Sequence, residues 1–193
     1  MHSGEMRKLL RGAVEEVAPA LLGCKLIRLT PEGELVAARL VEVEAYHESE
    51  PGCHAYRGRT KRNEVMFGRA GLAYVYFVYG MHHCLNIVCG REGEAAAVLA
   101  RAAEPMMPRS IQLIGPAVLC RSLAIDRGLN GLDLLEPESP LRLKLGGLRE
   151  GERIASSKRV GLSTGSELLW RHYLEGNPCV SRGSGANRNR QHG

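Results

Sequence analysis

Glu42 and Glu44 close a strand-like run, Glu34 to Ala45, in which Val36, Ala38 and Leu40 occupy the same face. Alternate residues of a strand point to one side, with successive same-face positions about 6.6 Å apart. An apolar face that ends in two carboxylates is locally inconsistent, and such inconsistencies mark functional or strained sites. The pair could divide acid and base work, or one glutamate could be structural while the other works. The plainer reading is an exposed strand end paired with arginine. Read as a strand, Glu94 to Ala102 places Ala97, Leu99 and Arg101 on one face, so an arginine ends that face as Glu44 ends its own. A helical reading of the same segment would group Arg101 with Ala97 instead.

Two neighbouring stretches suggest what such a pair would act on. Residues 57 to 69, RGRTKRNEVMFGR, hold Arg57, Arg59, Lys61, Arg62 and Arg69 against the single acid Glu64. Guanidinium groups suit phosphate oxygens because they offer several donors in a fixed fork. The run YVYFVYGMHHCLN, Tyr74 to Asn86, follows directly and gathers Tyr74, Tyr76, Phe77 and Tyr79 in a chain whose aromatic content is only 5%. Its alternation reads as strand, turn and strand, with Val75, Phe77 and Tyr79 on one face and Tyr74, Tyr76 and Val78 on the other. By itself this is an ordinary aromatic sheet core. Beside the basic loop it reads as a nucleic-acid surface, with charge for the backbone and ring faces for the bases. A zinc site drawn from His82, His83, Cys84 and Cys89 lacks the usual ligand spacing and would need a sharp turn to converge.

The elements that must position these groups follow from the chain in order. Residues 5 to 22 are expected to be helical, with Leu9, Leu10, Val14, Val17 and Leu21 as an apolar stripe interrupted at Pro19. Cys24 to Leu29 reads as a strand, joined through Pro31-Glu32-Gly33 to the next strand as a hairpin. Gly115-Pro116 opens a helix through Ala124. Leu141 to Leu145 is a short strand, Arg153 to Arg159 a basic segment, and Ser166 to Tyr173 a helix. With 193 residues, 44% of them hydrophobic, the chain fits one domain with a proper core. Its net charge of +5 leans toward a polyanionic partner. No apolar run approaches the roughly 20 residues of a membrane helix, and charges occupy the place of a signal-peptide core. Six scattered cysteines without a C-x-x-C pair do not read as a disulfide framework. The expected protein is intracellular: cytoplasmic or nucleoid-associated in a bacterium, nuclear in a eukaryote.

Several of these segments together resemble one family, the alkyladenine (3-methyladenine) DNA glycosylases. The resemblance is carried by VEVEAY (Val41 to Tyr46), H-x-x-R-G-R (His54 to Arg59), KRNEVMF (Lys61 to Phe67) and YVYFVYGMHHCLN. It continues through VLARA (Val98 to Ala102), IGPAVLCRSLAI (Ile114 to Ile125) and GNPCVS (Gly176 to Ser181). It implies an α/β (α+β) fold: a single domain with a curved, mainly antiparallel sheet, flanking helices and a projecting hairpin. Residues 1–180 would form that domain, while 181–193, rich in Gly, Ser, Asn and Arg, reads by composition as a basic, disordered tail. The implied activity is monofunctional excision of damaged purines from double-stranded DNA by a monomer, without metal or organic cofactor.

Roles come with the resemblance, and the residue types can support them. Glu44 would be general base for the water that attacks C1′, and Arg101 would hold that water and keep Glu44 ionised, since a nearby cation opposes the effect of burial. Tyr46 and His54 would flank one side of the flipped base and Tyr76 the other, a cation–π environment for an alkylated purine. Asn86 would crowd the 2-amino group of guanine, and Leu99 would line the floor. Tyr79, at the hairpin tip, would enter the minor groove and fill the gap left by the extruded nucleotide. Met81, His82, Arg57, Arg59 and Arg62 are the further DNA-contact candidates, and Glu42 is expected to be structural. A non-catalytic damaged-DNA or RNA-binding module is the rival reading, opposed by the presence of both Glu44 and Arg101. A hydrolase of small nucleosides is the other, opposed by the basic loop and Tyr79.

Overall fold

The computed structural model describes residues 2–78, 81–162, 164 and 167–182. In it the chain builds one antiparallel sheet of eight strands with short helices against it, an α+β domain. The strands are β1 (Lys25–Leu29), β2 (Leu35–His47), β3 (Ala73–Val78), β4 (His82–Val88), β5 (Ala96–Met107), β6 (Leu141–Lys144), β7 (Ile154–Ser157) and β8 (Arg171–Leu174). Their order is β3-β4-β5-β2-β1-β6, with β8 also on β2 and β7 on β8. Every ladder is antiparallel. Among the described residues no helix is long and apolar enough to cross a membrane.

β2 is the organising strand. One flank pairs with β5 along nearly its whole length. The other is shared: Leu35 to Arg39 pair with β1, while Glu42, Val43 and Glu44 pair with β8. From Ala38 to Ala45 every residue except the well-covered Arg39 and the two glutamates is apolar, and all are buried. Both faces of this stretch are therefore covered, where the sequence pattern implied one apolar face ending at an open strand end. The β2–β5 ladder carries register irregularities on both sides of Glu42, passing from Leu40–Ala103 to Glu42–Ala102 and on to Val43–Ala100. Bulges of this kind re-aim side chains beside sites.

At the N-terminus the single expected helix is two, α1 (His2–Leu10) and α2 (Val14–Ala20), broken around Gly12. Pro19 lies inside the second helix instead of ending the first. It is the sixth of that helix's seven residues, so the one backbone hydrogen bond it cannot donate lies in the last turn. Met6, Leu10, Val14, Val17 and Leu21 still reach the core, so the apolar stripe survives the break. The helix after Gly115-Pro116 forms as α3 (Pro116–Ser122). The helix expected over Ser166 to Tyr173 does not form in the described part of that segment. Residues 167–170 are irregular and β8 begins at Arg171, drawn into the sheet by Glu42 and by Ala45 N–H donating to the Trp170 carbonyl. The basic segment before it likewise becomes β7.

The aromatic run folds as the β3–β4 hairpin, in the register Tyr74–Asn86 and Tyr76–Cys84. Val75 enters the main core, and Tyr74 and Tyr76 pack in a second cluster with Met66 and Phe67. Tyr79, the expected wedge, and most of the expected tail, residues 183–193, lie outside the described residues. Ser181, at the start of that tail, is held to Glu42 by both its backbone N–H and its hydroxyl.

Candidate active site

Glu42 and Glu44 both lie at 0% exposure, and Arg101 on the adjoining strand reaches both. Arg101 Nε donates to Glu42 Oε1 at 2.9 Å, while its Nη1 stands 3.3 Å from Glu44 Oε1. The expected Arg101–Glu44 pair is thus present, but the shorter contact goes to Glu42. That carboxylate also accepts from Arg171 Nε at 2.7 Å and from the Ser181 hydroxyl at 2.8 Å, all on Oε1, and from Ser181 N–H at 2.7 Å on Oε2. Burial alone would raise the Glu42 pKa. The Arg171 hydrogen bond, the Arg101 charge and the Ser181 bonds outweigh it and hold the carboxyl below the ordinary glutamate range. Arg101, although buried, is pushed up by Glu44 and Glu42 and stays charged. Two carboxylates and two guanidiniums make the buried cluster electrically balanced.

Glu44 is held differently. Its Oε1 accepts from Val160 N–H at 2.7 Å and its Oε2 from the Tyr46 hydroxyl at 2.9 Å. An ionised carboxylate offers about four lone-pair sites. Val160, Tyr46 and Arg101 engage three, so about one remains for a water. The Tyr46 phenol is raised by burial and then by the Glu44 charge beside it, which keeps it protonated and donating.

The aromatic groups form a cavity of about 70 Å³ lined by Tyr46, His54, Met66, Tyr74, Tyr76 and Asn86. His54 does not stand with Tyr46, as expected, but edge-on against Tyr76, with ring centroids 4.3 Å apart. The two form a composite wall extended by Tyr74, which stacks on Tyr76 at 5.6 Å and shares a hydrogen bond with His54 Nδ1 at 3.3 Å. Desolvation by the packed rings, then the charge of Arg62, lowers the His54 pKa even though part of the residue is exposed, which favours the neutral imidazole at neutral pH. The Tyr46 ring is backed by the guanidinium of Arg159 at 4.6 Å, which also lies over Trp170 and forms a two-pronged bond to Glu50 at 2.6 and 2.7 Å. Asn86 is buried and donates to the Tyr74 carbonyl, and Leu99 pairs with both Asn86 and Glu44 across the ladders.

The basic candidates separate by what they touch. Arg57 is exposed, and Arg59 is exposed with its guanidinium 5.3 Å from the Phe67 ring centroid. Arg62 is tied to the hairpin, donating to the Phe77 carbonyl at 3.0 Å. Arg69 is bound to Asp133 at 2.7 Å. Met81 and His82 are exposed at the start of β4. Among the described residues no three His, Cys, Asp or Glu side chains gather as a metal site. Val160, Arg159, Arg171 and Ser181 were not marked by the sequence as part of this centre. Each arrives from the C-terminal third through long-range contact that no local pattern announces.

Methylpurine-DNA glycosylase is the family whose model matches residues 8–178. A relative from Carboxydothermus hydrogenoformans, named "Putative 3-methyladenine DNA glycosylase", is 47% identical over 178 residues, covering 86% of this chain and 92% of its own. One of the same name from Synechococcus elongatus is 45% identical over 174 residues, covering 90% and 89%. Another from Streptomyces avermitilis is 44% identical over 191 residues, covering 91% and 89%. The chain belongs to the methylpurine-DNA glycosylase family. It is a DNA N-glycosylase, an enzyme of DNA repair whose substrate is DNA.

Proposed function

We propose that the enzyme is monofunctional and releases alkylated or deaminated purines, namely 3-methyladenine, 7-methylguanine, hypoxanthine and ethenoadenine, from nucleotides flipped out of duplex DNA. The observation that carries the reading is Glu44: a buried carboxylate with three fixed donors and room for about one more, hydrogen-bonded to Tyr46 in the wall of an aromatic cavity. In this mechanism a water bound between Glu44 and Arg101 attacks C1′. The C1′–N bond breaks, its electron pair leaves with the purine, and the water proton passes to Glu44. A base already cationic by alkylation leaves as a neutral molecule. A neutral lesion must gain a proton or a hydrogen bond as it departs.

The flipped base would stand between Tyr46 on one side and the His54–Tyr76 pair on the other, with Leu99 below it and Asn86 set against the guanine 2-amino group. Arg159 behind Tyr46 fixes that ring as one half of an ion pair with Glu50, so the pair adds no net charge beside the cavity. Arg57, Arg59, Arg62, Met81, His82 and Tyr79 serve the duplex. Lys158 pairs with Glu167 on the surface and takes no covalent part. The test is single-turnover base release from duplexes with one hypoxanthine, ethenoadenine or 3-methyladenine. Glu44→Gln should lose about 10²–10⁴ in rate with DNA binding retained. Undiminished release by that variant would end the mechanism.

A further inference from the structure

A second concavity, of about 650 Å³, opens beside the aromatic cavity. Lys61 and Arg62 enter it from the basic loop, Arg127 and Asn130 from the segment after α3, and Tyr76 and Phe77 from β3. No carboxylate is among its lining residues. Asp126, next to Arg127, turns its Oδ1 to the Gly128 N–H at 2.8 Å. Both sides of the groove are fastened to the same strand edge. Arg62 donates to the Phe77 carbonyl, and Asn130 Oδ1 accepts from the Val75 N–H at 2.9 Å. β3 is the last strand of the sheet, so these contacts occupy an edge that would otherwise lack partners. The groove is thereby preformed, with exposed Lys61 and Arg127 free to meet an anion.

Tyr76 lines both this groove and the aromatic cavity. A nucleotide with its base in the cavity carries a phosphate on each side, and the groove adjoins that cavity across the shared Tyr76 wall. Cationic side chains beside ring faces are the features that track a single polynucleotide strand. We propose that this groove holds backbone phosphates of the lesion-bearing strand next to the flipped nucleotide, with Arg127 and Lys61 as the phosphate ligands; this rests on the base-flipping reading above.

The experiment measures equilibrium binding of the full chain to a duplex bearing one uncleavable abasic analogue, so that binding is read without catalysis. Salt is varied between roughly 50 and 200 mM, where each phosphate contact adds about 0.9 to the slope of log affinity against log salt. Arg127→Gln and Lys61→Gln should each flatten the wild-type fall across that range by about 3.5-fold, and the double variant by about 12-fold. Lys144→Gln, on β6 at the other end of the sheet, should leave the slope unchanged. Neutral methylphosphonates flanking the analogue in the lesion strand should weaken wild-type binding but cost the double variant little. Unchanged slopes, equal flattening by Lys144→Gln, or coupling only to methylphosphonates in the opposite strand would each overturn the proposal. Loss of the Glu44 mechanism would show in base release alone and leave this readout intact.

Discussion

Replacing Glu42 by glutamine tests whether the buried charge cluster holds the site together. The substitution keeps volume and one oxygen but removes a charge from a position with 0% exposure. Four donors now converge on that carboxylate, two of them from guanidiniums. In the variant an amide nitrogen must face at least one of these donors, and the cluster is left with an uncompensated positive charge. Removing one partner of a buried ion pair costs about 3–5 kcal/mol. For a domain of this size each kcal/mol lowers the melting temperature by roughly 2–4 °C, so the expected fall is roughly 6–20 °C. Adding Arg171→Met restores neutrality, and the double variant should recover part of the loss, giving a favourable coupling energy in a double-mutant cycle.

The pH dependence gives this prediction its sign. Glu42 in the folded protein titrates below the ordinary glutamate range, burial being outweighed by Arg171, Arg101 and Ser181. A depressed carboxyl contributes stability that is complete above the unfolded value, about 4.3 for glutamate, and is lost as pH falls through the folded value. The gap between wild type and Glu42→Gln should therefore be widest near neutrality and close on acidification. Urea unfolding at neutral pH and in the acid range measures it. A neutral-pH loss under about 1 kcal/mol, far below the range for a broken buried pair, would refute the reasoning, as would a gap that widens in acid.

Two further outcomes follow from particular contacts. Tyr46→Phe keeps the ring against Arg159 and removes the hydroxyl that donates to Glu44. A hydrogen bond to a charged group is worth about 1.5–3 kcal/mol, so single-turnover release should slow by roughly ten- to a hundredfold with DNA affinity little changed; weaker binding at an unchanged rate would limit Tyr46 to stacking. Gly146→Ala would press a methyl group into the Gly23 carbonyl and to 3.0 Å from Cys24 Cα, backbone that Leu40 pins on both sides. Overpacking against such neighbours costs about 1–3 kcal/mol. The adjoining Gly147→Ala meets open space and should change the urea midpoint hardly at all, so equal effects at the two positions would dismiss the clash.

The parts of the molecule governed by local pattern were legible in the sequence. β1 to β4, β6, the two hairpins and α3 follow alternation, turn residues and a proline at the first helical turn, all of which act within a few positions, while β5 is equally open to a helical reading. The segments that failed are those governed by distant partners. Arg171 enters a strand because Glu42, 129 positions away, accepts its Nε–H, and nothing near Ser166 to Tyr173 announces that. The same distance hid Val160, whose backbone N–H holds Glu44 from 116 positions away. A backbone donor leaves no mark in residue type. His54 was assigned to the wrong wall of the cavity for a related reason: its position in a loop fixes no direction until Tyr76 and Tyr74 meet it.

Glu42 and Glu44 are two positions apart on one strand, both inaccessible, and both in contact with Arg101. What separates them is the number of donors each already satisfies. A carboxylate has about four acceptor sites, and Glu42 receives four hydrogen bonds from Arg101, Arg171 and Ser181. It has no place for a water and, held by two guanidiniums, no tendency to take a proton. Glu44 receives one hydrogen bond on each oxygen and a longer contact from Arg101. Only it can accept from a further molecule. The register irregularities on both sides of Glu42 let one arginine serve both carboxylates from the neighbouring strand. Arg101 is then anchored by its shorter contact to Glu42, and its other arm lies beside Glu44 where the proposed water would be held. In this arrangement the structural glutamate positions the arginine, and the arginine serves the catalytic one.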